Sequence, residues 1–282
     1  MSFTHLITSG CSFSARGAKV WPEPLAEKLN LTLENYGCAS AGNSWIAKSC
    51  IYGIQNLLDS GIAPESILAV VMWSSHHRKD AFISQVGTAE FKQLRADRPG
   101  ETVANPVNFI DPAGHSGLWE TGLVDGYLLG SASCAFGEHI TRFKRDLILN
   151  FFNDEALIIE SYENILRLQW YCESKKIVLI NHTFMDIMHY NYVPGCPHQS
   201  KLKLLPDQYT RNVKPLHNMI NFDKWLFWNV TGGLYEYTKD NNLPFSKSDG
   251  VHPEIEANEH YVDNYLIPYF GVKLGINTRD HC

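Results

Sequence analysis

No run of apolar residues in this 282-residue chain approaches the roughly 20 needed to cross a bilayer, so no membrane-spanning helix is expected. A basic excess is missing too. Lys and Arg number 24 against 30 Asp and Glu, a formal net charge of −6. Nucleic-acid binding needs clustered cations that replace phosphate counterions, so no nucleic-acid partner is expected. The densest basic cluster, Arg142 to Arg145, reads as the solvated face of a helix. Cysteine pairing signals are lacking as well. Cys11, Cys38, Cys50, Cys134, Cys172, Cys196 and Cys282 form no C-x-x-C pair, and an odd count argues against a disulfide framework. The opening Met1 to Ile7 has no basic flank, no long apolar region and no small-residue cleavage site. Reduced thiols and a cytoplasmic location are therefore expected. Repeats and Gly/Ser-rich linkers are absent, which leaves a single domain over 1–282.

Hydrophobic residues make up 44% of the chain and charged residues 19%, enough apolar side chain for a sizeable core. Strand and helix signals alternate. Leu6-Ile-Thr reads as a short buried strand ending at Ser9-Gly10. Trp21 to Leu29 reads as a helix with prolines in its first turn, where a missing N–H costs little. Leu31 to Asn35 predicts a second strand. The small-residue turn Gly37 to Gly42 follows, and Asn43 or Ser44 caps a helix running to about Ser60. Ile67 to Trp73 is continuously apolar, as a parallel strand covered on both faces would be. A long helical stretch over about 137–173 precedes a similar strand, Ile177 to Ile180. This alternation predicts an α/β fold with a parallel sheet. Between Lys79 and Ala135 the pattern fades into Gly, Pro, Asn and Asp. An insertion at about 79–135 is expected, either a substrate-site loop with Trp119 and Tyr127 as lining candidates or a family-specific elaboration. A second irregular stretch covers Asn191 to Lys214.

Three segments together carry chemistry. Ile7 to Ser14 (I-T-S-G-C-S-F-S) sets a hydroxyl just past a strand, at the sheet edge where open α/β folds bind ligands. Ser248 to Pro253 (S-D-G-V-H-P) offers Asp249 and His252 from one Gly-containing turn. A serine hydroxyl needs a base within hydrogen-bond reach, and the imidazole needs a carboxylate on its other nitrogen. D-x-x-H alone is common, and a second copy stands at Asp186–His189. Asn35 to Ser44 is a turn of small residues that leaves backbone N–H groups uncovered, as an oxyanion hole requires.

In this order, Gly10 to Ser14, Trp21-Pro22, Asn35 to Gly37, Gly42 to Ser44 and the closing D-x-x-H-P resemble the blocks of SGNH (GDSL-like) hydrolases. The resemblance covers about residues 4–75 and 245–270. It implies a flavodoxin-like three-layer α/β/α sandwich with about five parallel strands. It further implies Ser12 as nucleophile, Asp249 as orienter, His252 as base, and the N–H groups of Ser12 and Gly42 as oxyanion donors. Two departures stand out. The family's Asp before the nucleophile is Cys11 here. The third-block Asn, a further oxyanion donor, is missing from Val71 to Arg78, which leaves Ser74, Ser75 or His76 to substitute.

The expected activity is a serine esterase acting through an acyl-serine intermediate on a small-molecule or glycan ester, O-acetyl groups included. No metal or organic cofactor is expected, and an oligomer or larger assembly is left open. The alternative is a catalytically weak or inactive module of the same fold with a structural or binding role. A third reading, a metal hydrolase using His76, His77 and the His182, His189, Cys196 and His198 cluster, predicts inhibition by chelators.

Overall fold

A computed structural model describes residues 3–15, 19–38, 41–76, 78, 81–82, 127–128, 154–187, 211–229, 231–247 and 249–275. In chain order the elements are β1 (His5–Ser9), α1 (Pro22–Leu29), β2 (Thr32–Asn35), α2 (Asn43–Asp59), β3 (Ile67–Trp73), β4 (Ala81–Phe82), β5 (Tyr127–Leu128), α3 (Asp154–Lys175) and β6 (Val178–Thr183). After these come α4 (Val213–Met219), β7 (Trp225–Leu226), α5 (Leu234–Asp240), α6 (Ile255–Tyr261), a π-helical turn (Val262–Leu266) and α7 (Ile267–Leu274). β4 and β5 pair antiparallel, Phe82 opposite Tyr127, as a separate two-stranded ribbon.

The main sheet is five-stranded and parallel throughout, in the order β2-β1-β3-β6-β7. Counting only its own strands, that order reads 2-1-3-4-5, the doubly wound flavodoxin-like arrangement, with its switch point between β1 and β3. All seven residues of β3 are buried. A strand covered on both faces needs this unbroken apolar run, and each large side chain contributes about 1.5–3 kcal/mol by leaving water.

Alternation along the strands assigns the two helical layers. Ser9, Trp73 and Asn181 share one face, where Ser9 Oγ meets Ser49 Oγ of α2 at 2.8 Å and Trp73 Nε1 donates to Asn181 Oδ1 at 2.9 Å. α2 and α3 form that layer, joined by Tyr171 Oη donating to Gln55 Oε1 at 2.9 Å. Met72 and His182 point to the opposite face, under Trp21 at the head of α1 and Tyr261 at the end of α6. The alternation of elements predicts the α/β fold with its parallel sheet, and the three-layer α/β/α sandwich is the one the resemblance implies.

Local signals place most boundaries. Pro22 and Pro24 occupy the first turn of α1, and Asn30 stops it in the left-handed conformation at φ 52°. Asn43 departs from expectation: it is the first residue inside α2, and Gly42 stands at the cap position without a side-chain cap. The Asn43 side chain is committed to Ser74 instead. The terminal segment is helical from Ile255 to Leu274 but interrupted by the π-helical turn. Among the described residues no helix is long and apolar enough to cross a membrane. The 79–135 insertion, Trp119 included, lies outside the described residues apart from 81–82 and 127–128. So do 137–153 of the predicted long helix and most of the Asn191 to Lys214 stretch.

Candidate active site

Ser12 begins a short 3-10 turn (Ser12–Ser14) directly after β1. Ser9 is the register partner of Val71, so Ser12 and Ser74 each lie three residues beyond paired positions, on either side of the switch point. Gly10 is required by close approach: a Cβ there would collide with the Ser14 side chain. Ser14 is in turn fixed by Trp21, whose Nε1 donates to its Oγ at 3.0 Å, and by its own contact to Met72 Sδ at 3.6 Å. Ser14, two residues past Ser12, is therefore pinned from the sheet and from α1.

Asp249 and His252 arrive from one loop after α5. Gly250 takes the left-handed conformation at φ 66°, which lets the chain fold back on the Asp249 side chain. Asp249 Oδ1 accepts the N–H groups of Val251 at 3.0 Å and His252 at 3.1 Å. This leaves Oδ2 for the imidazole, 2.7 Å from His252 Nδ1. The loop is clamped by Ser246 N donating to His252 O at 2.7 Å and Glu254 N donating to Pro244 O at 3.0 Å. His252 Nε2 lies 2.7 Å from Ser12 Oγ. Three residues separated by up to 240 positions thus meet in one hydrogen-bonded line. Phe13 packs beside it, its ring 4.7 Å from that of His252.

The electrostatics suit such a line. Partial burial pushes the Asp249 carboxyl up, but the two backbone N–H groups and the His252 ring outweigh it, and the group sits below its ordinary value. Asp249 is therefore a carboxylate wherever an imidazole titrates.

Asn258 of α6 ties this loop to the rest of the site. Its Oδ1 accepts from Trp21 N at 3.1 Å, and its Nδ2 donates to Pro253 O at 3.1 Å and Glu254 O at 2.9 Å. One amide thus links the loop bearing His252 to the residue that fixes Ser14. Sequence reasoning passed over Asn258 because an Asn inside a helix carries no signal of a partner 237 residues away.

Ser74, Ser75 and His76 are buried just past β3. Asn43 grips Ser74 on both backbone groups, with Oδ1 accepting from Ser74 N at 2.9 Å and Nδ2 donating to Ser74 O at 3.0 Å. Nδ2 also donates to Ser161 Oγ at 3.1 Å, so both amide hydrogens are in use. Ser74 Oγ has no hydrogen-bond partner among the described residues. His76 stands edge-on to Tyr162 at 5.6 Å. Gly42 precedes α2 and accepts from Ile46 N at 3.1 Å.

Of the rival pair, only Asp186 lies within the described residues. Asp186 Oδ2 accepts from Thr231 Oγ1 at 2.8 Å. Among the described residues no three His, Cys, Asp or Glu side chains are grouped as ligands, and of the metal reading's six residues only His76 and His182 are described. His77, His189, Cys196 and His198 lie outside them. Cys11, Cys38, Cys50 and Cys172 are buried free thiols, and burial pushes Cys172 up to about 12.

His182 is fully buried on the opposite face of the sheet from Asn181. Its Nδ1 lies 3.1 Å from Tyr261 Oη, and its ring meets Trp21 edge-on at 4.5 Å. Burial pushes it down to about 3, so it is neutral in the native protein. The unfolded chain takes up a proton below about 6.5, while the folded one refuses it until about 3. Stability is therefore present above 6.5 and is lost progressively as pH falls through that window. Between pH 7 and pH 5 this one group costs about 2 kcal/mol. Urea unfolding at the two pH values is expected to show a loss smaller by about that amount in His182→Gln; equal losses would exonerate His182.

Compared with models of known protein families and with curated protein sequences, the chain matches none.

Proposed function

We propose that this chain is an ester hydrolase of the SGNH type that works through an acyl-serine intermediate. The observation that carries the reading is the pair of 2.7 Å contacts, Ser12 Oγ to His252 Nε2 and His252 Nδ1 to Asp249 Oδ2. A module that only binds or scaffolds has no need of an imidazole aligned between a hydroxyl and a carboxylate.

The steps follow from that line. His252 Nε2 takes the Ser12 proton as Oγ attacks the ester carbonyl carbon, and Asp249 stabilises the imidazolium without becoming protonated. The carbonyl oxygen becomes an oxyanion beside the N–H of Ser12, which opens its turn where no intrahelical acceptor exists. The N–H of Gly42 is the second proposed donor. Collapse breaks the bond to the alcohol oxygen, which leaves with the proton from His252. Water then repeats the cycle on the acyl-serine and releases the acid. Asn43 does not replace the third-block Asn, because its amide hydrogens already serve Ser74 and Ser161. Ser74 Oγ is the better substitute, being without a partner among the described residues. Without that substitute the missing donor would cost about 3 kcal/mol, so Ser74→Ala is expected to lower turnover roughly a hundredfold or more. Short acyl groups, O-acetyl on a glycan included, are the proposed substrate range.

A fluorophosphonate probe tests the nucleophile directly. Mass spectrometry of the labelled protein is expected to place one adduct on Ser12, and labelling elsewhere, or none, would refute the assignment.

A further inference from the structure

Arg78 lies five residues beyond the end of β3, at the same edge of the sheet as Ser12. Its guanidinium stands over the ring of Phe184, 5.3 Å from the centroid. Phe184 meets Phe13 at 5.0 Å, and Phe13 meets the His252 ring at 4.7 Å. A continuous row of rings therefore joins the cation to the catalytic imidazole. Arginine is always charged, and its nitrogens are donors only. Here Nε and Nη1 are buried with no hydrogen-bond partner, and no carboxylate among the described residues pairs with the group. Arg78 as a whole is half-buried, yet two buried donors without acceptors are costly, and proteins keep such groups where something else answers them. The face of Phe184 holds the guanidinium by cation–π attraction yet satisfies none of its N–H groups.

We propose that Arg78 is the anion-recognition residue of this site, and that the alcohol half of the ester carries a carboxylate or phosphate. The inference rests on the esterase reading and adds the substrate class to it. The side is fixed by the chemistry. His252 delivers its proton to the departing alcohol, and the ring row to Arg78 begins at His252. The proposal therefore places the guanidinium on the leaving-group side, where an acidic sugar or hydroxy acid carries its charge. Charge-assisted hydrogen bonds are roughly twice as strong as neutral ones, so the anion is expected to raise kcat/KM roughly tenfold.

The test compares acetyl esters that differ in the charge of the alcohol: 4-acetoxybenzoate, its neutral methyl ester, and 4-acetoxyphenyl phosphate. Each is assayed with wild type, Arg78→Gln and Arg78→Lys. The quantity read is the ratio of kcat/KM for each anionic ester to that for the neutral one. Arg78→Gln is expected to lower at least one ratio roughly tenfold, with Arg78→Lys intermediate, and the ester affected tells carboxylate from phosphate. A merely structural Arg78 would lower all three rates together and leave both ratios unchanged, which would overturn the proposal. If no ester is turned over, the esterase reading fails on its own. Calorimetry with 4-hydroxybenzoate and 4-hydroxyphenyl phosphate then decides the anion site: binding lost in Arg78→Gln sustains it, and no binding to wild type ends it.

Discussion

Ser12→Ala is expected to abolish ester hydrolysis and fluorophosphonate labelling while leaving the fold in place. The expected fall in turnover is on the order of 10⁶-fold, the loss seen when the nucleophile of a serine triad is removed. The fold should survive because little else depends on the hydroxyl. Its hydrogen bond to His252 Nε2 contributes about 1 kcal/mol, and the backbone of the turn is held by Gly10, Ser14 and Trp21. Urea unfolding of the variant is therefore expected within about 1 kcal/mol of wild type. p-Nitrophenyl acetate is the first substrate to try, since its good leaving group demands least from a weakened oxyanion hole. Equal hydrolysis by wild type and variant would mean that the activity, if any, belongs elsewhere on the chain.

The fold was legible where one residue property sufficed. The continuous apolar run of β3 announced a central strand, and Pro22 and Pro24 announced the start of α1. The triad was legible only jointly. Each block is common by itself, and the signal lay in their order. The parts that stayed hidden depend on distant partners. Asn43 has the composition of a helix cap, but two backbone groups of Ser74 compete for its amide and win. Trp21 looked like an ordinary apolar helix start, yet it fixes Ser14 and engages Asn258. β7 is only two residues long, too short for any periodicity, and it is a strand because β6 offers an edge at Asn181 and His182. Arg78 gave no signal at all, since an isolated Arg in a polar stretch reads as solvated until its guanidinium is found over Phe184.

Substitution of His252 separates the two D-x-x-H pairs most sharply. The base must be neutral to accept the serine proton, so the rate is expected to rise with pH through the range in which His252 gives up its proton, and to level off above it. Asp249 does not add a limb in that range, because its carboxyl lies below its ordinary value and is already ionised. His252→Gln is expected to remove the limb together with nearly all activity. Asp249→Asn should keep the fold, since an amide oxygen still accepts from Val251 N and His252 N, but its NH2 faces Nδ1 and favours the wrong tautomer. The expected cost is about 10⁴-fold in turnover. Asp186→Asn touches a different structure. Its Oδ2 accepts from Thr231 and its N–H donates to Glu236 Oε1, so the loss should appear in stability, with the pH profile kept. His189→Gln should also leave the profile in place. Were His189→Gln to abolish hydrolysis while His252→Gln retained it, the base would be misassigned, and the 2.7 Å contact to Ser12 would be structural rather than catalytic.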